Sequence, residues 1–245
     1  MKRQYARLLA KGSDFVRDDA VDVEFTYDFD DPRLAALEAK RGLREIAGEG
    51  DTQARALNLL HWLCAHTRHG NPQSMPEDRS ADGLLDWSFD KPGNDPNCMH
   101  LSAILSECLL AVGARAYPLW CLPKVYKGDN HVVVQVWLPE ESRWIMLDPS
   151  WDVYVTDETD RILDAPTLRQ GLAGRAILHQ NAESKRDERA YLDYMAKDMH
   201  HFYRQQDTRC GILQGGRPVV YLCPAGYKLE KEQSPVYVSC SSFWG

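Results

Sequence analysis

Cys98-Met-His-Leu-Ser-Ala-Ile-Leu-Ser-Glu-Cys-Leu-Leu-Ala-Val-Gly113 is the stretch on which the reading of this chain turns. Leu101, Leu105, Cys108, Leu109 and Val112 recur at helical spacing, and Ile104 and Ala111 widen the stripe. Only Ser102, Ser106 and Glu107 interrupt it, so the spacing predicts a helix buried on most sides, with Gly113 at a left-handed C-terminal cap. Lys91-Pro-Gly-Asn-Asp-Pro-Asn97 cannot continue a helix, which pins Cys98 at the first turn with Asn97 as its N-cap. A thiol there meets unpaired backbone N–H groups and the positive end of the helix dipole, and both favour the thiolate. The plain alternative is a small buried hydrophobe. Residues downstream decide between the two.

Downstream, Ala114–Cys121 reads as a strand, and Pro118 predicts an edge or an irregularity in it. A turn at Lys127-Gly-Asp-Asn130 leads to His131-Val-Val-Val-Gln-Val-Trp-Leu138 and Arg143-Trp-Ile-Met-Leu-Asp148, two strands of an antiparallel hairpin. If Leu138 faces Arg143, Asp148 faces Val133, and His131 lies two residues along on the same sheet face. Imidazole and carboxylate are then about 5 to 8 Å apart at Cβ, within side-chain reach. A structural His–Asp hydrogen bond at a sheet edge has the same pattern. Beyond the hairpin, 149–185 is irregular or mixed. An amphipathic helix is expected over about 186–204 on Leu192, Met195, Met199 and Phe202, then short strands at Pro218–Cys223 and Pro235–Cys240.

Upstream, Val21, Val23, Phe25, Tyr27 and Phe29 alternate with polar neighbours as in a half-buried strand. Pro32 opens a helix through about Ala47, and Asp51 or Thr52 caps another to His69 with Leu57, Leu60, Leu63 and Cys64 inward. His61, His66 and His69 on that helix do not share one face, so a metal site is not expected there. Residues 70–97 form a long loop in which Trp87 either lines a cleft beside the thiol or anchors the loop.

At 245 residues, with a net charge of −7, the chain has room for a large core and is poorly suited to nucleic acid or an anionic membrane surface. No apolar run approaches membrane-spanning length, and the basic N-terminus lacks the apolar region of a signal peptide. A cytoplasmic location is the expectation, unless an upstream leader has been removed. Seven cysteines without a Cys-x-x-Cys argue against a disulfide framework or structural zinc. Cys64, Cys108 and Cys121 are expected to be buried, and Cys210, Cys223 and Cys240 nearer the surface.

Cys98, His131 and Asp148 are the residue types that acyl transfer needs: a thiolate nucleophile, a general acid/base, and a carboxylate that fixes the imidazole. That chemistry requires the thiol to meet a His131 ring nitrogen on a shared side of the sheet. The oxyanion hole would take the Cys98 N–H and a second donor, for which Asn97, Trp87 and Gln135 are candidates. Asn-Cys98 through Val-Gly-Ala-Arg-Ala, Asp-Asn-His131-Val-Val-Val-Gln-Val-Trp and Arg-Trp-Ile-Met-Leu-Asp148-Pro-Ser-Trp resemble the transglutaminase-like core of the papain-like cysteine-enzyme superfamily.

The resemblance covers about 95–155, extends to the helix at 51–69, and is nearest to small bacterial members with a C-terminal helix like Tyr191-Leu-Asp-Tyr-Met-Ala-Lys197. Two departures are Asn97 where the family often has Gly, and His131-Val-Val where it often has His-Ala-Trp. The resemblance implies an α+β fold, with the buried Cys-bearing helix packed on an antiparallel sheet beneath a helical N-terminal layer. It implies a single domain over 1–245 with its core at about 51–155, and extensions at 20–50 and 186–240. It also implies Cys98, His131 and Asp148 as the catalytic triad, no cofactor or metal, and a peptide or protein amide as substrate. With no evident calcium site and none of the extra domains of animal cross-linking enzymes, hydrolysis is the expected outcome. The alternatives are protein cross-linking through glutamine and a non-catalytic peptide-binding domain.

Overall fold

The computed structural model describes residues 3–12, 15–90, 92–125, 129–229 and 234–245. Lys127 and Gly128 of the expected turn, and Lys91 ahead of the Cys98 helix, lie outside these residues. The N-terminal part contains α1 (Arg3–Lys11), β1 (Thr26–Tyr27), α2 (Pro32–Arg41), α3 (Leu43–Ala47), α4 (Thr52–His66) and α5 (Ala81–Asp90). The centre follows as α6 (Cys98–Ala111), β2 (Ala116–Leu122), β3 (His131–Leu138) and β4 (Arg143–Leu147). The remainder is β5 (Val155–Thr156), α7 (Ala165–Gly174), β6 (His179–Gln180), α8 (Glu188–Asp198), β7 (His201–Gln205), β8 (Asp207–Thr208), β9 (Val219–Leu222) and α9 (Cys240–Trp244).

The fold is α+β, built on a five-stranded antiparallel sheet in the order β4-β3-β2-β7-β9. Alternation along β3 divides the core. Val132, Val134 and Val136 pack with α2, α4, α5 and α6, forming the expected helical layer. Val133 points the other way, into a second core made with α1, α7, α8 and α9. This second helical layer is not evident in the sequence. Burial on both faces explains why β3 reads as a nearly continuous apolar run rather than an alternating one.

Every residue of α6 from His100 to Ala111 is buried. Glu107 is among them, and its carboxylate fastens the helix to two other segments. Oε2 accepts from Ala81 N at 2.9 Å, at the start of α5, and Oε1 accepts from Ile212 N at 2.8 Å. Replacing Glu107 with Ala strands both N–H groups in the core, and the expected loss of stability is about 3 kcal/mol. Chemical denaturation of the variant reads this directly. A loss below about 1 kcal/mol would mean that water takes over the carboxylate's role.

Several elements depart from expectation for identifiable reasons. The alternating segment at 21–29 keeps its pattern at Val23, Phe25 and Tyr27, which are half-buried, while Val21 and Phe29 are exposed. The segment pairs only through Thr26–Tyr27 with Asp207–Thr208 and a Val21–Val238 bridge, outside the main sheet. The helix from Pro32 breaks at Gly42, whose φ of +66° ends α2 before α3 begins. The 70–97 loop contains α5, and the helix expected to reach His69 stops at His66.

Pro118 sits in β2, the central strand, where an edge was expected. It pairs with Val134 on one side, and the β2–β7 ladder runs only from Trp120 to Leu122, so no recorded β7 partner lies opposite it. The helix predicted over 186–204 is α8 followed by strand β7. Met195, Met199 and Phe202 are all buried, but Phe202 lies on the strand, because over so few residues both periods bring the same positions inward. Of the two closing strands, the first is β9. The second reduces to bridges at Tyr237 and Val238, and the chain turns into α9. All seven cysteines are free thiols. Cys210 and Cys223 are buried, against expectation, and only Cys240 is exposed.

Candidate active site

Asn97 caps α6 as its position requires. Its side chain accepts from Met99 N and His100 N, and the His100 ring accepts from Asn97 N at 3.1 Å, which closes a capping box with histidine in the usual Glu/Gln place. Cys98 is thereby held at the first helical position, half-buried.

The β3–β4 hairpin has the expected register, with Leu138 opposite Arg143 and Val134 opposite Leu147. His131 Nε2 donates to Asp148 Oδ2 at 2.6 Å, with both side chains buried. Asp148 Oδ1 accepts from Ser150 N at 2.9 Å. His131 projects from the sheet face opposite the one that the body of α6 covers, so a shared side is not how the two residues meet. Cys98 opens α6 and His131 opens β3. At that end of the strand the Ser102 hydroxyl donates to Val132 O at 2.9 Å, and thiol and imidazole come together past the end of β3. His131 Nδ1 is buried with no partner other than the thiol, which leaves that edge of the ring to Cys98.

The electrostatics couple all three groups. Burial pushes the Cys98 thiol up, but hydrogen bonding with His131 and then His69, together with the His131 charge, outweighs it and brings the thiol down to about 6. Burial pulls His131 down, yet the Asp148 charge, the hydrogen bond to it and the thiol raise the imidazole to about 10. Burial would raise Asp148, and the imidazolium holds it below the usual carboxylate range. Thiolate and imidazolium therefore coexist at neutral pH as one coupled pair.

Two groups at this site had no signal in the sequence. Trp151 folds back over His131, its ring centroid 5.0 Å away at 20°, because Asp148 and Val153 exchange backbone hydrogen bonds around a tight loop with Asp152 at φ +59°. An indole face favours the cationic imidazole. His69, just beyond α4, faces the thiol, whose pKa it helps to lower, and lies 5.2 Å from Trp151. It is brought there by Gly70, whose N–H donates to Pro96 O at 3.0 Å. A Cβ on Gly70 would fall 2.4 Å from the Asp95 Cβ, so only glycine permits this approach. The spacing of His61, His66 and His69 was informative only in keeping the three apart. His61 bonds Asp152 at 2.7 Å and His66 is exposed. Among the described residues no cluster of three His, Cys, Asp or Glu could hold a metal ion.

Of the three sequence candidates for an oxyanion donor, two are placed elsewhere. Asn97 remains next to Cys98 with its side-chain oxygen engaged in capping, whereas Trp87 packs edge-on to His100 at 6.1 Å. Gln135 is buried four residues, about 13 Å, along β3 from His131.

A thiol at a buried helix's N-terminus, beside a His–Asp pair on the first strands of an antiparallel sheet, defines the papain-like class of cysteine-enzyme architecture. Residues 40–149 match the family model of the transglutaminase-like superfamily. Two solved structures of the periplasmic domain of TgpA from Pseudomonas aeruginosa are similar to the chain. One, bound to ethylmercury, has 25% identity and a TM-score of 0.37, covering 49% of this chain and 44% of that one. The other has 22% identity and a TM-score of 0.37, covering 60% and 48%. The match takes in less than half of either TgpA domain. No curated protein matches the chain. Among the described residues no helix is long and apolar enough to cross a membrane.

Proposed function

We propose that this protein catalyses thiol-dependent acyl transfer at an amide bond, with water as the acceptor. The observation that carries the reading is the buried 2.6 Å His131–Asp148 hydrogen bond beside a thiol held near 6. The Cys98 thiolate attacks the amide carbonyl carbon, and the new S–C bond pushes the carbonyl electrons onto oxygen. As the tetrahedral species collapses, His131 Nδ1–H gives its proton to the departing nitrogen, and the C–N bond breaks to leave a thioester. Water then attacks the thioester. Nδ1 takes the water's proton, and Cys98 leaves as thiolate. Asp148 stays ionised throughout and fixes the ring with Nε2–H toward itself. The oxyanion falls to the Cys98 N–H and a ring N–H of His69, the second polar group in contact with the thiol.

Mass spectrometry of the protein mixed with a panel of peptides and glutaminyl amides tests the first half-reaction, through a Cys98 acyl adduct. Parallel hydrolysis and amine-incorporation assays test the second. Adduct formation followed by amine incorporation without hydrolysis would replace water with an amine as the acceptor. No adduct from any amide would leave a binding domain.

Two predictions accompany the reading. Since the nucleophile must be ionised and the imidazole protonated, kcat/KM is expected to rise with pH through about 6 and to fall through about 10. A single rising limb near pH 8 to 9 would instead report an ordinary thiol. Replacing Gly70 with Ala, which cannot approach Asp95, displaces His69 and is expected to cost about 10²-fold in kcat, with Cys98 still labelled as a thiolate.

A further inference from the structure

A groove runs along one side of the thiol's surroundings, lined by Cys64, Arg68, His69, Ser150, Trp151 and Lys185 among others. It opens beside two rings of the site, since His69 contacts the thiol and Trp151 covers His131. Its charged groups are unequally paired. Arg68 is neutralised by Asp95 at 2.6 Å, and outside the groove His61 holds Asp152 at 2.7 Å. Lys185 and Arg186 have no carboxylate within ion-pair distance among the described residues. Lys185 Nζ donates only to the Cys64 carbonyl, and the Lys185 backbone N–H is bonded to Trp151 O at 2.8 Å, which fixes this segment to the Trp151 loop. Arg186 does not line the groove but borders it through Trp151. Its guanidinium lies 4.0 Å over the Trp151 ring and 4.6 Å from that of Tyr194, and its N–H edges make no recorded hydrogen bond among the described residues.

We propose that this groove receives a carboxylate of the substrate, so that the preferred amides belong to peptides with an acidic side chain or a free chain terminus close to the reacting bond. The proposal rests on the acyl-transfer reading for its reaction. Its ligand chemistry stands on the groove alone. Arg186 supplies the paired donors, Lys185 adds a second positive charge, and Trp151, stacked on both Arg186 and His131, sets the spacing from the thiol.

The test compares the rates at which iodoacetate and iodoacetamide alkylate Cys98 in the full chain at pH 7, followed by peptide mapping so that exposed Cys240 is counted separately. The two reagents differ in one negative charge, and a molecule of net charge −7 repels the anion unless the local field reverses sign. The iodoacetate-to-iodoacetamide ratio is expected to fall about two- to fivefold in Lys185→Gln and again in Arg186→Gln, and to fall likewise in high salt. Capped peptides differing only in Glu or Gln then serve as protectants of Cys98. The Glu peptide is expected to protect at two- to fivefold lower concentration, with the difference lost in the double variant. The Gln peptide with a free rather than amidated C-terminus shows whether a terminal carboxylate suffices.

A ratio that neither variant moves, or equal protection by Glu and Gln peptides, overturns the proposal. Anionic preference without cleavage of any peptide would overturn the reaction and keep the groove. Cleavage indifferent to the carboxylate would do the reverse. Should Cys98 resist both reagents, calorimetric affinities for the same Glu and Gln pair decide, and equal affinities overturn the proposal.

Discussion

Cys98→Ala and His131→Ala are each expected to abolish amide turnover, a loss of at least about 10⁴-fold, and the double variant to be scarcely worse than either. The non-additivity follows from the coupling of the pair. The thiol is near 6 because the imidazole is there, and the imidazole is near 10 in part because the thiolate is there. Removing the ring therefore deletes the proton donor and also returns a half-buried thiol toward its ordinary or a raised value. Alkylation separates these effects. Cys98 in His131→Ala should lose its reactivity toward iodoacetamide at pH 6, whereas in wild type it should label readily. Turnover retained in Cys98→Ala would overturn the entire assignment.

Asp148→Asn should keep the fold and lose up to about 10⁴-fold in kcat. An amide at this position can still accept from Ser150 N, but it can also present N–H to His131 Nε2, which turns the ring's remaining proton toward the thiol. The imidazole then starts in the wrong tautomer and no longer has a full negative charge to hold it protonated. The pH profile carries the signature: the limb near 10 should move down by several units along with the loss of rate. Asp148→Ala is the weaker probe, because it leaves a buried ring nitrogen and a backbone N–H unsatisfied and lowers stability as well. Full activity in the Asn variant would reduce the machinery to Cys98 and His131.

The parts of the site that were legible in the sequence are local ones. The His131–Asp148 geometry follows from one hairpin, whose four-residue loop and alternating strands leave little freedom in register. The position of Cys98 follows from the prolines and Asn97 immediately before it. His69 was not legible, since its approach to the thiol depends on Gly70 meeting Pro96 across 26 residues, and nothing in the intervening loop announces the contact. Trp151 stands three residues after Asp148, but its cover over His131 comes from a backbone loop closed at Asp148 and Val153, which the sequence does not announce. Similarly, α8 and β7 could not be divided from each other by their shared apolar spacing, and the second helical layer draws on α1 and α7, at opposite ends of the chain's first 174 residues.

The meeting of Cys98 and His131 past the end of β3 has a consequence for when reactivity appears. Imidazole and carboxylate belong to one hairpin and can find each other through a short loop, which is a fast event in a folding chain. The thiol arrives on a helix whose seating needs α2, α4 and α5 around it and Glu107 bonded to residues 81 and 212. Until then Cys98 is an ordinary cysteine, protonated at neutral pH and slow to react. A nascent or partly unfolded molecule thus carries no aggressive nucleophile, and the thiolate comes into being only once these long-range contacts have formed.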